Sequence, residues 1–156
     1  MIAQHGLKNY ALVTVMLVMA ACASDPMRPA ASQAASVGDR AVAVALEQVG
    51  TPYRYGGNTP RGFDCSGLIH YAYHQAGLSV PRTTGQLWSA TETVGKRQLQ
   101  AGDLLFFSIA GKMSHVGMYV GGKRFVHAPQ SGRTVEVTLM DKPFYREALV
   151  RAGRLY

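Results

Sequence analysis

The chain has 156 residues, 47% of them hydrophobic, and a formal charge of +7. Such a length describes one domain plus extensions, with enough apolar residues to bury an ordinary core. A basic balance favours anionic surroundings, but the charges are scattered, and the lack of any basic run argues against nucleic acid as the partner.

Residues 1–21 read as an export signal. Lys8 is the positive flank, and Ala11–Ala21 is uncharged and almost wholly apolar. That core has the length of a signal segment and falls short of the roughly 20 residues that span a bilayer. It ends in Val18-Met19-Ala20-Ala21-Cys22, similar to the lipobox of bacterial lipoproteins, in which the cysteine is lipidated and becomes the mature N-terminus. Met19 stands where Leu is usual, and ordinary cleavage at Ala21-Cys22-Ala23 also fits. The only other cysteine is Cys65. A Cys22–Cys65 disulfide is the alternative use of the pair, but at the head of a flexible tail it would constrain little. Residues 22–36, rich in Ala, Ser and Pro, read as the lipidated cysteine and a flexible tether, leaving 37–156 as the folded domain.

The pattern predicts a helix over 37–49. Ala41, Val44, Ala45 and Gln48 share one stripe, Val42, Leu46 and Val49 the next, and Gly50 ends it. Thr51–Phe63, with two prolines and three glycines, is expected to follow a fixed irregular path, not a strand. Asp64 is a good N-cap, placing Cys65 in the first turn of a helix of about 12 residues whose apolar face is Leu68, Ile69, Ala72, Tyr73 and Ala76. Backbone N–H groups at a helix start stabilise a thiolate. Thr83 and Gln86 have capping-box spacing for a second helix carrying Leu87 and Trp88. Arg82 either takes a structural role or clamps an anion in the groove. After the expected turn at Gly102-Asp103, strands are predicted at 104–108, 115–120, 123–128, 134–139 and 148–156. No helix-length segment separates them, so the domain is α+β: N-terminal helices packed on a mostly antiparallel meander of five to six strands. The sequence has no internal repeat, Rossmann or P-loop fingerprint, or paired Cys-x-x-Cys.

A cysteine nucleophile needs a base, and the base needs an orienting partner. Of the five histidines, His5 lies in the signal, and His70 and His74 lie beyond the first turn of the Cys65 helix. His115 and His127 remain, on adjacent predicted strands across Gly121-Gly122. Side chains alternate along a strand, so strict pairing of Val120 with Lys123 would put the two rings on opposite faces. An odd loop or a bulge instead pairs 127 with 117 and makes the histidines diagonal neighbours, about 7–8 Å apart at Cα. The odd loop or bulge is the expectation, with both rings on the Cys65 side of the sheet. Zinc held by Cys65, His115 and His127 is the competing chemistry, but no ligand pair has motif spacing.

Six blocks in order, Gly50-Thr-Pro-Tyr-Arg-Tyr-Gly-Gly, Phe63-Asp-Cys-Ser-Gly-Leu, Pro81-Arg-Thr-Thr, Gly102-Asp-Leu-Leu-Phe-Phe, His115-Val-Gly-Met-Tyr-Val and Phe125-Val-His-Ala, resemble the NlpC-type cell-wall cysteine peptidases. The resemblance covers nearly all of 41–156. It implies a papain-like fold with circularly permuted elements and cleavage of peptidoglycan stem peptides, often by lipoproteins of the Gram-negative outer membrane facing the periplasm. It implies Cys65 as nucleophile, His115 as base and later acid, His127 as its orienter and Tyr53 near the oxyanion. The Cys65 N–H is a second oxyanion donor. The same resemblance points to Asp64, with Ser66, Arg82 and Thr83 beside it, for substrate binding. Hydrolysis would pass through a thioester acyl-enzyme with no metal or organic cofactor, in a monomer. The bond is left open between D-Glu–diaminopimelate within a stem and D-Ala–diaminopimelate between stems. The rival readings are a non-catalytic envelope lipoprotein that binds wall peptides and a thiol amidohydrolase acting on another amide.

Overall fold

A computed structural model describes residues 35–155. The expected export signal, Cys22 and the tether up to residue 34 lie outside the described residues. The first helix, α1 (Val37–Glu47), opens on a capping box: Ser36 Oγ accepts from the Asp39 N–H, and the Asp39 carboxylate accepts from the Ser36 N–H. Terminal amides that would otherwise lack partners are satisfied this way. The buried stripe is Gly38, Ala41, Val42 and Ala45. Leu46 and Val49, expected on a second stripe, are 40% and 50% exposed. The helix leans chiefly on one neighbour, so one narrow stripe is covered.

Residues 51–63 are irregular, as their glycines and prolines predict, but their backbone is paired. Gly50 and Tyr53 N–H donate to the Val135 and Arg133 carbonyls (2.9 and 2.8 Å), and Val135 N–H returns a bond to the Thr51 carbonyl (2.8 Å). A two-residue ladder, β1 (Asn58–Thr59) with β2 (Gly62–Phe63), closes the loop and corrects the expectation of no strand there. The loop delivers the chain to α2 (Cys65–Gln75), capped by Asp64, and then α3 (Thr84–Ala90), which starts on the predicted Thr83–Gln86 capping box.

Six antiparallel strands follow: β3 (Glu92–Val94), β4 (Leu104–Ile109), β5 (Lys112–Gly121), β6 (Arg124–His127), β7 (Glu136–Leu139) and β8 (Leu149–Arg154). Their order is β3-β8-β4-β5-β6-β7. The expected α+β class with an antiparallel sheet stands. The simple meander holds for β4 to β7 only, because β8 returns to pair with β4 on its other edge. Edge strand β3 and the short helix α4 (Pro143–Ala148) were not predicted: each is too short to show a hydrophobic period. The fold is anchored where β4 begins. Asp103, 1% exposed, accepts from Arg154 Nε (2.7 Å) and a terminal nitrogen (2.8 Å), a bidentate charge-assisted pair.

Alternation along the strands sorts the core into two layers. Leu104, Phe106, Val116, Met118 and Val126 meet Leu68, Ile69 and Ala72 of α2 and Leu87 of α3. Leu105, Phe107 and Phe125 face the other way, under Tyr145 of α4. Fully buried residues of this size stabilise by about 1.5–3 kcal/mol each.

Candidate active site

The helix that presents Cys65 is fixed at its mouth by one carboxylate. Asp64 Oδ1 accepts from the Gly67 N–H (2.6 Å), which is the N-cap bond. Asp64 Oδ2 accepts from the Gly56 N–H (3.0 Å), tying the preceding loop to the same point. Arg82 grips both oxygens (2.9 and 2.8 Å) and also donates to Ser66 Oγ (3.0 Å) and the Gly57 carbonyl (3.1 Å). The guanidinium expected as an anion clamp is thus engaged by Asp64, and Thr83 is engaged as the cap of α3. Gly67 is where loop and helix come closest. A Cβ there would sit 2.0 Å from the Gly57 carbonyl oxygen, so only glycine fits.

Cys65 lines a cleft of about 520 Å3 with Tyr53, Asp64, Ser66, Arg82, Thr83, Thr84 and Ser114. Its Sγ lies 3.8 Å from Thr84 Oγ1 and 4.0 Å from the Ser114 carbonyl. Burial pushes the thiol pKa up, with a contribution from the charge of Asp64, while the Thr84 hydroxyl works the other way. Tyr53 is half-buried, and its hydroxyl makes no hydrogen bond among the described residues. Burial, then the proximity of Cys65 and Asp64, raises its pKa and keeps it an O–H donor.

The register of β5 and β6 meets the expectation for the histidines. Met118 pairs with Val126 and Tyr119 with Phe125, then the register slips so that Gly121 pairs with Arg124. Val120 is the extra residue of the bulge. Continuing the register puts 127 opposite 117, and His115 and His127 share a face. His115 Nε2 and His127 Nδ1 are 2.8 Å apart. Gly117 lies between them in register, and Phe125 closes over it: a Cβ there would meet the Phe125 ring at 2.4 Å.

The shared face is a correction. His115 is opposite Phe107, and the pair packs with Phe107, Phe125 and Tyr145, on the layer away from α2. Cys65 approaches from the α2 layer and reaches the sheet at Ser114, the residue just before His115. There β5 slips register against β4, with Phe107 opposite His115 and Ser108 opposite Met113. The structure therefore joins the two histidines directly and brings the thiol to the adjacent backbone. Among the described residues, no hydrogen bond links Sγ to the His115 ring.

Both histidines are held neutral. His115 is pushed down to about 3 by burial and by the neighbouring His127, and His127 to about 4 by burial and the charges of Arg133 and Lys142. A cavity of about 320 Å3 opens beside them, lined by Ile109, Pro129, Gln130, Arg133, Phe144 and Tyr145. Two residues near His127 carried no motif: Tyr145 Oη lies 3.4 Å and Glu136 Oε1 3.6 Å from its Nε2. Glu136 is the cross-strand partner of His127, a relation that the β6–β7 register gives once the strands are placed.

The site so described is a cysteine at a helix start and two hydrogen-bonded histidines on the antiparallel sheet of an α+β domain. The chain belongs to the NlpC/P60 family, whose profile matches residues 50–154. It is 36% identical over 116 residues to the murein DD-endopeptidase MepH of Escherichia coli (strain K12), covering 70% of this chain and 43% of that one. It is 38% identical over 115 residues to the bifunctional muramidase/DL-endopeptidase CwlT of Bacillus subtilis (strain 168), covering 71% and 34%. The chain thus spans under half the length of these relatives. A solved NlpC/P60 family protein from Bacillus cereus ATCC 10987 superposes with a TM-score of 0.71 at 35% identity, covering 76% of this chain and 40% of that one.

Proposed function

We propose that this chain is a peptidoglycan endopeptidase that cuts stem-peptide amide bonds with Cys65 as nucleophile. The observation that carries the reading is the His115–His127 hydrogen bond, formed at the strand end where the Cys65 cleft meets the sheet. At rest both partners are neutral: a half-buried thiol and an imidazole that burial keeps unprotonated. The reactive pair therefore forms when a peptide enters the cleft, displaces water and draws Sγ from the Ser114 carbonyl to Nδ1 of His115. Active-site hydrogen bonds are often loose before substrate binds and tighten in the complex. The thiol proton passes to His115, and sulfur adds to the carbonyl. The oxyanion then takes hydrogen bonds from Tyr53 Oη and the Cys65 N–H. His115 returns the proton to the leaving amine, and water releases the acyl group from the thioester.

Asp64, Ser66, Arg82 and Thr83 line the cleft, and in this reading they bind the stem peptide. The bond is D-Glu–diaminopimelate or D-Ala–diaminopimelate. Residues 1–21 direct export, and lipidation of Cys22 anchors the chain to the outer membrane facing the periplasm. One copy carries the whole site, in keeping with a monomer.

The test is to incubate the full chain in detergent with purified sacculi and identify released muropeptides by mass spectrometry, with Cys65→Ala in parallel. Release by the native chain alone supports the reading, and the product identifies the bond. Equal release by both would refute Cys65 catalysis. Release by neither would favour a wall-binding role.

A further inference from the structure

His115 can accept a proton at Nδ1 only if its own proton sits on Nε2. That nitrogen lies 2.8 Å from His127 Nδ1, so His127 must accept there and carry its proton on Nε2. His127 is fully buried, so this N–H cannot be satisfied by solvent. A buried donor without an acceptor forfeits the hydrogen bond it made to water in the unfolded chain. Two acceptors are at hand, Tyr145 Oη at 3.4 Å and Glu136 Oε1 at 3.6 Å. The other Glu136 oxygen is held by Arg133 at 2.6 Å, which leaves Oε1 turned to the ring.

We infer that Glu136 is a positioning residue that selects the His127 tautomer and, through it, the tautomer of His115, because a carboxylate only accepts whereas the Tyr145 hydroxyl satisfies Nε2 in either tautomer. In the reverse arrangement, the His127 Nδ1 proton would point at His115 Nε2. The Nε2 lone pair of His127 would then face a carboxylate oxygen, which is repulsive. His115 would carry its proton on Nδ1, where it could not receive one from the thiol. The second nitrogen's hydrogen bond sets which tautomer a histidine adopts. The groups around His127 act unequally. His115 on β5 donates to Nδ1. Glu136 on β7 favours a proton on Nε2 and Tyr145 on α4 serves either tautomer, while the cations Arg133 and Lys142 oppose a charged ring. The inference rests on His115 as the base of the proposed reaction.

The experiment uses the double variant Glu136→Ala/Tyr145→Phe and the single Tyr145→Phe, which keeps the carboxylate and should leave the nitrogen signals in place, in the full chain, 15N-labelled, with Cys65→Ala as the inactive control. In the native protein His115 Nδ1 should resonate as an unprotonated nitrogen and Nε2 as a protonated one. The double variant should show the two signals move toward each other as the tautomers mix. Its kcat should fall about tenfold or more, with KM little changed; losses of 10–100-fold are typical for groups that orient a histidine. Unmoved 15N signals in the folded double variant would overturn the inference, as would unchanged kcat. The nitrogen signals are read without substrate, so they stand even if the native chain releases no muropeptide, a result that would count against the proposed reaction alone.

Discussion

Gly67→Ala is a perturbation for which two physical effects predict opposite signs. Helix propensity alone makes alanine better than glycine inside α2 by about 1 kcal/mol. Packing predicts the reverse. The new methyl would stand 2.0 Å from the Gly57 carbonyl oxygen, 2.9 Å from Asp64 Oδ1 and 3.0 Å from an Arg82 nitrogen. The oxygen is main chain, so relief requires the loop and helix to part. The displaced carbonyl accepts from the Asp64 N–H (3.0 Å) and from Arg82 (3.1 Å). Overpacking costs about 1–3 kcal/mol, a neutral hydrogen bond about 1 and a charged one about 1.5–3. Set against the propensity gain, the net is a destabilisation of about 2.5–6 kcal/mol. Urea unfolding followed by far-UV circular dichroism would report it as a lower midpoint at unchanged slope. A variant as stable as the native chain, or more so, would refute the close approach of loop and helix as the reason for this glycine.

Two other outcomes follow from the site. Tyr53→Phe removes a donor that burial keeps protonated, and kcat on muropeptide dimers should fall about 10²-fold or more with KM little changed; an equal kcat would remove Tyr53 from the oxyanion site. The histidines should make the fold acid-labile. Their folded pKa values, about 3 and about 4, lie below the ordinary 6.5. Near neutrality both are unprotonated, folded or not. Below about 6.5 the unfolded chain takes up protons that the folded one refuses. Stability is therefore lost as pH falls from 6.5 toward 4, by up to about 1.4 kcal/mol per unit for each histidine. Urea midpoints at pH 7.5 and 5 would measure the loss, and His127→Gln should flatten it; an equal loss in that variant would place its origin elsewhere.

Much of the local structure was legible because its determinants are close in sequence. Thr83 and Gln86 announce the start of α3, Asp64 that of α2, and the parity of the loop between His115 and His127 decides whether their rings can meet. Contacts between distant segments were not legible. Nothing local links Arg82 to Asp64, so its engagement could not be told from an open anion clamp. The layer that carries the histidines depends on how β5 passes between two helical layers. That is why His115 and His127 were expected on the α2 side. Glu136 and Tyr145 carried no motif, since a Glu on a strand and a Tyr in a six-residue helix are ordinary surface choices until β7 and α4 are placed. The short ladder at Asn58 and Gly62 is hidden by glycines that also suit an irregular loop.

The carboxylate at the mouth of α2 has a consequence for survival in an oxidising compartment. Oxidants and alkylating agents attack the thiolate, not the thiol. A helix start normally favours the thiolate, and the Ser66 and Val116 amides do so here. The Gly67 amide and Arg82, however, are engaged by Asp64, whose charge opposes a second anion, and burial outweighs the donors. Cys65 therefore rests as a half-buried, protonated thiol. As the nucleophile of the proposed reaction, a thiol kept protonated until substrate arrives would persist outside the cytosol without a reductant to restore it.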